Sequence, residues 1–415
     1  MAVVKPFRGL RPQKDLAAKV AGPPYDVLNS EEAREMAKDN PYSFLQVNKP
    51  EISLDPSISA HDERVYQKGA ENLRNMISQN ILFQDDAPRY YLYKQIMGDH
   101  RQVGLVAAAS VEDYENDIIK KHEFTRPDKE DDRVKHIQYQ NAQVGPVFLT
   151  YPANATIDQL TAEILKTAPE YDITGDDGVR HTLWVIDNAA LLSTIEKTFA
   201  SIEYLYVADG HHRSAAAMRM KQHCQAGNPA HTGQEAYNFF LVVIFPHNQM
   251  QILDYNRVVK DLNGNSETDF LSAVREKFSL EEISGDAPFK PAKAHDFGMY
   301  MNGKWYQLTA LEGTYNPEDP VEKLDVSILQ ENLLSPVLGI ENPRKDKRID
   351  FVGGIRGLGE LEKRVNSGDW KVAFALFPTS IEDLMGIADA GEVMPPKSTW
   401  FEPKLKSGLL IHLLD

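Results

Sequence analysis

Tyr204-Leu205-Tyr206-Val207-Ala208-Asp209-Gly210-His211-His212-Arg213-Ser214-Ala215-Ala216-Ala217-Met218-Arg219-Met220 reads as a strand that turns on a glycine directly into a helix. Aromatic and β-branched residues at 204–208 suit a pleated, buried strand, and the alanine-rich run from Ser214 suits a helix. Between them, Asp209 is placed to cap the helix, and Gly210 can adopt backbone conformations closed to other residues. The amides of His211, His212 and Arg213 are then expected to face an anion at the helix N-terminus. Arg213 adds a guanidinium fork matched to phosphate oxygens, and the two histidines can donate hydrogen bonds or move protons near neutral pH. Adjacent histidines point in different directions and no third ligand stands at a metal-site spacing, so a metal role for this pair is the weaker reading.

Outward from this turn the pattern alternates. Upstream stand a strand at 147–151, a helix around 157–167, a strand at 183–186 and a helix near 190–200; downstream, Phe239–Phe245 is an apolar run fit for a buried strand. Nearer the start, Asn29 or Ser30 caps a helix running to about Asp39, 62–79 is an amphipathic helix, and 90–108 is a hairpin about Gly98-Asp99. The last third has an Asn302-Gly303 hairpin of the type I′ kind, a helix at 327–334, a strand at 349–352, a glycine-rich turn at 353–359, a helix near 358–365 and a strand at 372–376. The fold class expected is α/β, mixed with α+β character: a layered protein built on mixed sheet. Soft boundaries are drawn as an N-terminal α/β region at 1–150, a middle region carrying the turn at 151–265 and a C-terminal α+β region with the basic loop at 266–415, with one interlocked unit as the alternative.

Composition narrows the function. The chain has 415 residues, enough for a substantial core, and a net charge of −16 from 61 acidic and 45 basic side chains. Duplex DNA binders draw affinity from basic faces, so nucleic acid is disfavoured as a partner and local basic clusters stand out as sites for small anions. No stretch reaches the length of a membrane helix and no signal-peptide pattern opens the chain. With Cys224 as the one cysteine, disulfides and cysteine-rich metal sites are excluded, and a cytoplasmic location is expected.

Two further segments carry candidate chemistry. Met394-Pro395-Pro396-Lys397-Ser398-Thr399-Trp400-Phe401-Glu402-Pro403-Lys404-Leu405-Lys406-Ser407-Gly408 gathers lysines and hydroxyls in a proline-stiffened loop, a plausible anion cradle without the glycine spacing of a Walker loop. Lys397, Ser398, Thr399 and Lys404 are its candidate ligands, and the loop is expected to share a pocket with the 209–213 turn. The charged segment 112–143 reads first as a solvated loop and helix, with Glu123 a candidate general base and Asp132 a candidate magnesium ligand.

In this order, Pro23-Pro24-Tyr25-Asp26-Val27, Asp132-Arg133, Val207-Ala208-Asp209-Gly210-His211-His212-Arg213 and Met394-Pro395-Pro396-Lys397-Ser398-Thr399-Trp400-Phe401 resemble the bacterial family called domain of unknown function 1015, often labelled SpoOJ/ParA/ParB/RepB-like. The turn itself is similar to one in the ParB/sulfiredoxin superfamily, which includes free serine kinases. That resemblance implies a ParB/sulfiredoxin-like segment in which Gly210, His211, His212 and Arg213 contact nucleotide phosphates, while Asp209 caps or assists catalysis. Sulfiredoxin chemistry needs a cysteine in the turn, which is missing here, and no helix-turn-helix of the partition proteins is evident. The function expected is therefore a nucleotide-dependent phosphotransferase acting on a small hydroxylated metabolite such as a free amino acid. ATP or ADP would be the nucleotide, with CTP as an alternative, and Mg2+ would accompany it. Asp209, His211, His212 and Glu123 would carry catalysis, and Gly210, Arg213, Lys397, Ser398, Thr399 and Lys404 would hold the nucleotide. The alternative is a nucleotide-binding switch or adaptor with little or no catalysis.

Overall fold

A computed structural model describes residues 1–285 and 287–415. The chain divides into two compact units: residues 1–250 together with 403–415, and residues 251–402.

The described residues of the first unit form a nine-stranded sheet. In chain order its strands are β1 (Val4–Lys5), β2 (Tyr90–Met97), β3 (His100–Ser110), β4 (Ile119–Lys120), β5 (Val147–Tyr151), β6 (Tyr171–Thr174), β7 (Arg180–Ile186), β8 (Leu205–Asp209) and β9 (Phe239–Pro246). Across the sheet they run β4-β8-β5-β9-β3-β2-β7-β6, with β1 beside β3. The β8–β4 and β9–β5 pairs are parallel and the others antiparallel, so the sheet is mixed as expected. Among these strands β9 is the apolar spine: seven of its eight residues are buried, the pattern of a strand covered on both faces.

The hairpin β2–β3 turns at Gly98, and Tyr90, Leu92, Val103 and Leu105 join the core that β5, β8 and β9 share. Asn29 caps the helix α1 (Ser30–Ala37) in a reciprocal box with Glu32. Helix α2 (Glu63–Ser78) packs on α3 (Pro127–Gln140), and α3 packs on α4 (His211–Gly227). The solvated face expected for 112–143 is present at Asp128, Lys129, Asp131 and Lys135, but the expectation is corrected for the opposite face of α3, which buries Asp132, Val134, His136, Ile137 and Gln140. The boundary drawn after 150 is also corrected: it falls inside β5, whose neighbours β8 and β9 come from later in the chain.

The second unit holds a six-stranded sheet of β10 (Tyr255–Val259), β11 (Phe278–Glu282), β12 (Asp296–Met301), β13 (Lys304–Ala310), β14 (Ile349–Gly353) and β15 (Val372–Leu376), in the order β11-β13-β12-β15-β10-β14. Asn302 and Gly303 both take positive φ, 51° and 78°, the backbone a type I′ turn requires. The boundary drawn at 265 lies within this unit, in the turn after β10.

The first unit is tied internally by a buried ion pair. Arg11 Nη2 lies 2.9 Å from Asp85 Oδ1, Arg11 Nη1 reaches Glu170 at 2.7 Å, and the Tyr91 hydroxyl donates to Asp85 at 2.6 Å. Removing one partner of such a pair strands the other charge in a medium that solvates it poorly. Asp85→Ala should therefore destabilise the first unit by about 3–5 kcal/mol, read as a lower urea midpoint by circular dichroism; an unchanged midpoint would show the pair to be dispensable.

Candidate phosphate-binding turn

The turn sits where β8 leaves the sheet. The β8–β5 register shifts between Val207 and Asp209, a bulge of the kind that re-aims side chains beside functional sites. Gly210 follows with φ 101° and is itself the N-cap of α4, which lacks a side-chain cap. A Cβ here would lie 3.4 Å from Arg213 Cζ and Val147 Cα, an ordinary contact, so it is the backbone torsion and not lack of space that demands glycine.

This places Asp209 differently from its expected capping role. Its carboxylate accepts from Lys404 Nζ at 3.1 Å instead. Burial opposes its ionisation, yet Lys404 and Arg213 hold the carboxyl below the usual range, which makes it an anchor and a poor base. The Arg213 and Ser214 amides already donate to the Gly210 carbonyl at 2.9 and 3.0 Å. Of the three amides expected to face an anion, those of His211 and His212 remain for that role.

The side chains gather around this N-terminus. His211 is 4% exposed, with Nδ1 3.8 Å from Glu123 Oε2, and its ring meets His122 edge to face at 4.4 Å. Burial pushes the His122 ring down to about 4, against the pull of Asp209 and a hydrogen bond with Val207. Burial, then the neighbouring His122, holds His211 well below an ordinary imidazole, so both rings are neutral at pH 7. His212 Nε2 accepts from the Arg126 amide at 3.2 Å, and burial lowers its basicity as well. Arg213 folds back over Gly210, donates to the Pro146 carbonyl and lies 3.5 Å from Asp26. Three buried nitrogens here have no hydrogen-bond partner: His122 Nδ1, His211 Nε2 and Arg213 Nε. Unsatisfied polar atoms are rare in folded interiors, and three at one helix terminus mark a place where a polar ligand would repay them.

A cavity of about 50 Å³ opens beside the turn, lined by Tyr25, Arg133, Gln140, Gly145 and Arg213 among others. Arg133 stacks on Tyr25 at 3.8 Å and reaches Asp132 at 2.9 Å through Nε. Asp132 also accepts from Tyr66 and pairs with His61, each at 2.9 Å. Its oxygens are spent, and no group of three His, Cys, Asp or Glu able to hold a metal exists among the described residues. Asp132 does not fit a magnesium site.

Within the first unit, then, Asp209, Gly210, His211, His212, Arg213, Glu123 and Lys404 come together. Lys397, Ser398 and Thr399 belong to the second unit, where Ser398 is buried with its hydroxyl on the Pro395 carbonyl at 2.7 Å, so it is not an open phosphate ligand. Sequence reasoning missed His122, although the signal was present: Lys121-His122-Glu123 follows directly on β4, the parallel neighbour of β8. No described helix is long and apolar enough to cross a membrane.

Comparison with known proteins adds the following. The family model described as "Protein of unknown function (DUF1015)" matches residues 4–327. No curated protein matches. Among solved structures, a free serine kinase in complex with AMP is similar at 13% identity and TM-score 0.34, over 74% of this chain and 91% of that one. C-terminally truncated SbnI from Staphylococcus aureus is similar at 11% identity and TM-score 0.37, over 74% and 87%. A conserved hypothetical protein from Pyrococcus furiosus is similar at 14% and TM-score 0.33, over 74% and 95%. At these scores the likeness supports no inference about this chain.

The buried histidines give a pH dependence whose sign is fixed. Unfolded, His122 protonates below its ordinary value of 6.5, whereas folded it stays neutral to about 4. The unfolded state thus binds more protons as pH falls, so stability is fully present above 6.5 and is lost toward pH 4. The loss should approach about 1.4 kcal/mol per pH unit for each such histidine. Urea unfolding at a series of pH values should show a shallower slope for His122→Asn than for the parent chain; equal slopes would place His122 outside the interior in solution.

Proposed function

Because the chain belongs to a family described as being of unknown function, we propose its activity from the site itself: a nucleotide-dependent phosphotransferase acting on a small hydroxylated metabolite, a free amino acid being the acceptor class we favour. The observation that carries the reading is the cluster of three partnerless buried nitrogens at a helix N-terminus entered through a positive-φ glycine. The amides of His211 and His212, the helix dipole and Arg213 Nε supply donors for a phosphate, and Lys404 supplies charge beside Asp209. The cavity of about 50 Å³ has the scale of a phosphoryl group and not of a nucleoside, so ribose and base lie outside it. Phe124, 67% exposed and adjacent to Glu123, offers a face for the base.

In this reading Glu123, half-exposed and next to the neutral His211, takes the proton of the acceptor hydroxyl. The acceptor oxygen forms a bond to phosphorus as the bond from phosphorus to the bridging oxygen of the nucleotide breaks, and the nucleotide leaves one phosphoryl group shorter. Positioning and charge neutralisation do most of the work in such a transfer. ATP and ADP are the donors we favour, and Asp132 takes no part.

A slow or inactive nucleotide-binding switch is the second reading. It is favoured by the engagement of Arg213 with Asp26 and Pro146, which keeps part of its fork occupied. Steady nucleotide turnover that depends on a hydroxylated amino acid separates the two: turnover supports the enzyme, and binding without turnover supports the switch.

Two outcomes are expected of binding measurements. Arg213→Ala should weaken nucleotide binding by about 1.5–3 kcal/mol, the range for hydrogen bonds to charged groups, measured by calorimetry; parent-like affinity in a folded variant would remove the turn from the site. Duplex DNA should show no appreciable binding in anisotropy titrations at about 150 mM salt, because a chain of net charge −16 gains little from counterion release. Micromolar duplex binding would overturn the phosphotransferase reading.

A further inference from the structure

A further cavity lies in the second unit. It measures about 590 Å³, within the range of small-molecule sites, and its floor and walls are Arg257, Val326, Ser327, Asn332, Leu334 and Phe351. Arg257 is 3% exposed. Its Nη1 donates to the Tyr255 carbonyl and its Nη2 to the Lys397 carbonyl at 3.0 Å, with the guanidinium over the Phe351 ring at 5.4 Å. Its hydrogen bonds go to carbonyls and no carboxylate acts on it, whereas buried charges are ordinarily paired. Burial pushes the guanidinium down to about 10, and it still carries its charge at neutral pH.

A second orphan lines the same cavity. Ser327 is 7% exposed and its hydroxyl has no hydrogen-bond partner. It sits on the helix α5 (Asp325–Leu329), which widens into a π-helix over Gln330–Leu334; Gln330 and Asn332, from that turn, also line the cavity. The Ser335 amide closes the wide turn on the Gln330 carbonyl at 2.9 Å. Such turns are rare and recur at functional sites.

The walls define the ligand. Val326, Ile328, Leu334 and Phe351 are apolar, with Pro343, Pro395 and Pro396 beside them. One guanidinium balances one negative charge, and the exposed Glu322, Glu331 and Glu341 on the lining repel polyanions such as nucleotides. We propose that this cavity is a binding site for a small amphipathic monocarboxylate, its carboxylate on Arg257 and Ser327 and its apolar body along Val326, Leu334 and Phe351.

The test uses the full chain with octanoate and octan-1-ol, which share a tail and differ in charge. Calorimetry should show one octanoate site, with octan-1-ol binding at least about tenfold more weakly, since a hydrogen bond to a charged group contributes about that factor. Arg257→Met should lower octanoate affinity to the level of the alcohol and leave the alcohol unchanged. Thr314→Trp, at a half-exposed lining position, should block both; it decides the matter should Arg257→Met fail to fold by circular dichroism. Equal binding of acid and alcohol, no octanoate binding at millimolar concentration, or octanoate binding that survives Thr314→Trp would each overturn the proposal.

Discussion

The geometry of the 209–213 turn depends on one backbone torsion, the φ of 101° at Gly210. Only glycine adopts it at low cost, and it lets the chain leave β8 and enter α4 without an intervening loop. Because no residues are spent on a connection, the rigid sheet fixes the direction of the first helical turn. The Arg213 guanidinium then lies back over Gly210. Asp209 is left on the strand side of the turn, where Lys404 meets it.

The two buried arginines illustrate opposite ways of placing charge in an interior. Arg11 has carboxylates at 2.9 and 2.7 Å, and burial alone would lower its basicity while these partners raise it above the ordinary value. Arg257 has only peptide carbonyls and a ring face, so nothing offsets its loss of water except weak dipoles. The first arrangement is complete within the protein; the second is complete only with something added. The partnerless nitrogens at the turn in the first unit follow the same logic on a smaller scale.

What the sequence made legible was what is local. The strand, glycine and helix at 204–220 are consecutive residues with matching propensities, and the Asn302-Gly303 hairpin and the Asn29 cap are equally short-range, so each appears where its residues predict it. The misplaced cap at Asp209 was an error of one residue, made because an aspartate before a helix ordinarily caps it and the positive φ that moves the cap to Gly210 is invisible in a string of letters. The 112–143 segment misled for a different reason: most of its charges do face solvent, but Asp132 is turned inward and paired with Arg133 and His61, and burial of that kind depends on helices contributed by distant residues. Lysines only a few residues apart at 397 and 404 belong to different units, because the chain crosses a boundary between them that composition does not mark.

That crossing has a consequence for assembly. The second unit is an insertion, and the tail that follows it supplies Lys404, the Ser407 bridge to Gly22, and His412 and Leu413 paired with Gln143 and Ala142. On a ribosome, which releases the chain from its first residue onward, the strands of the large sheet emerge well before this closing piece. The bridge at Gly22 and the Lys404 partner of Asp209 can therefore form only after the inserted unit has been made. Synthesis order thus makes the 209–213 turn among the last parts of the protein to mature, and a chain cut short before residue 404 would hold every residue of the turn yet lack the lysine that meets Asp209.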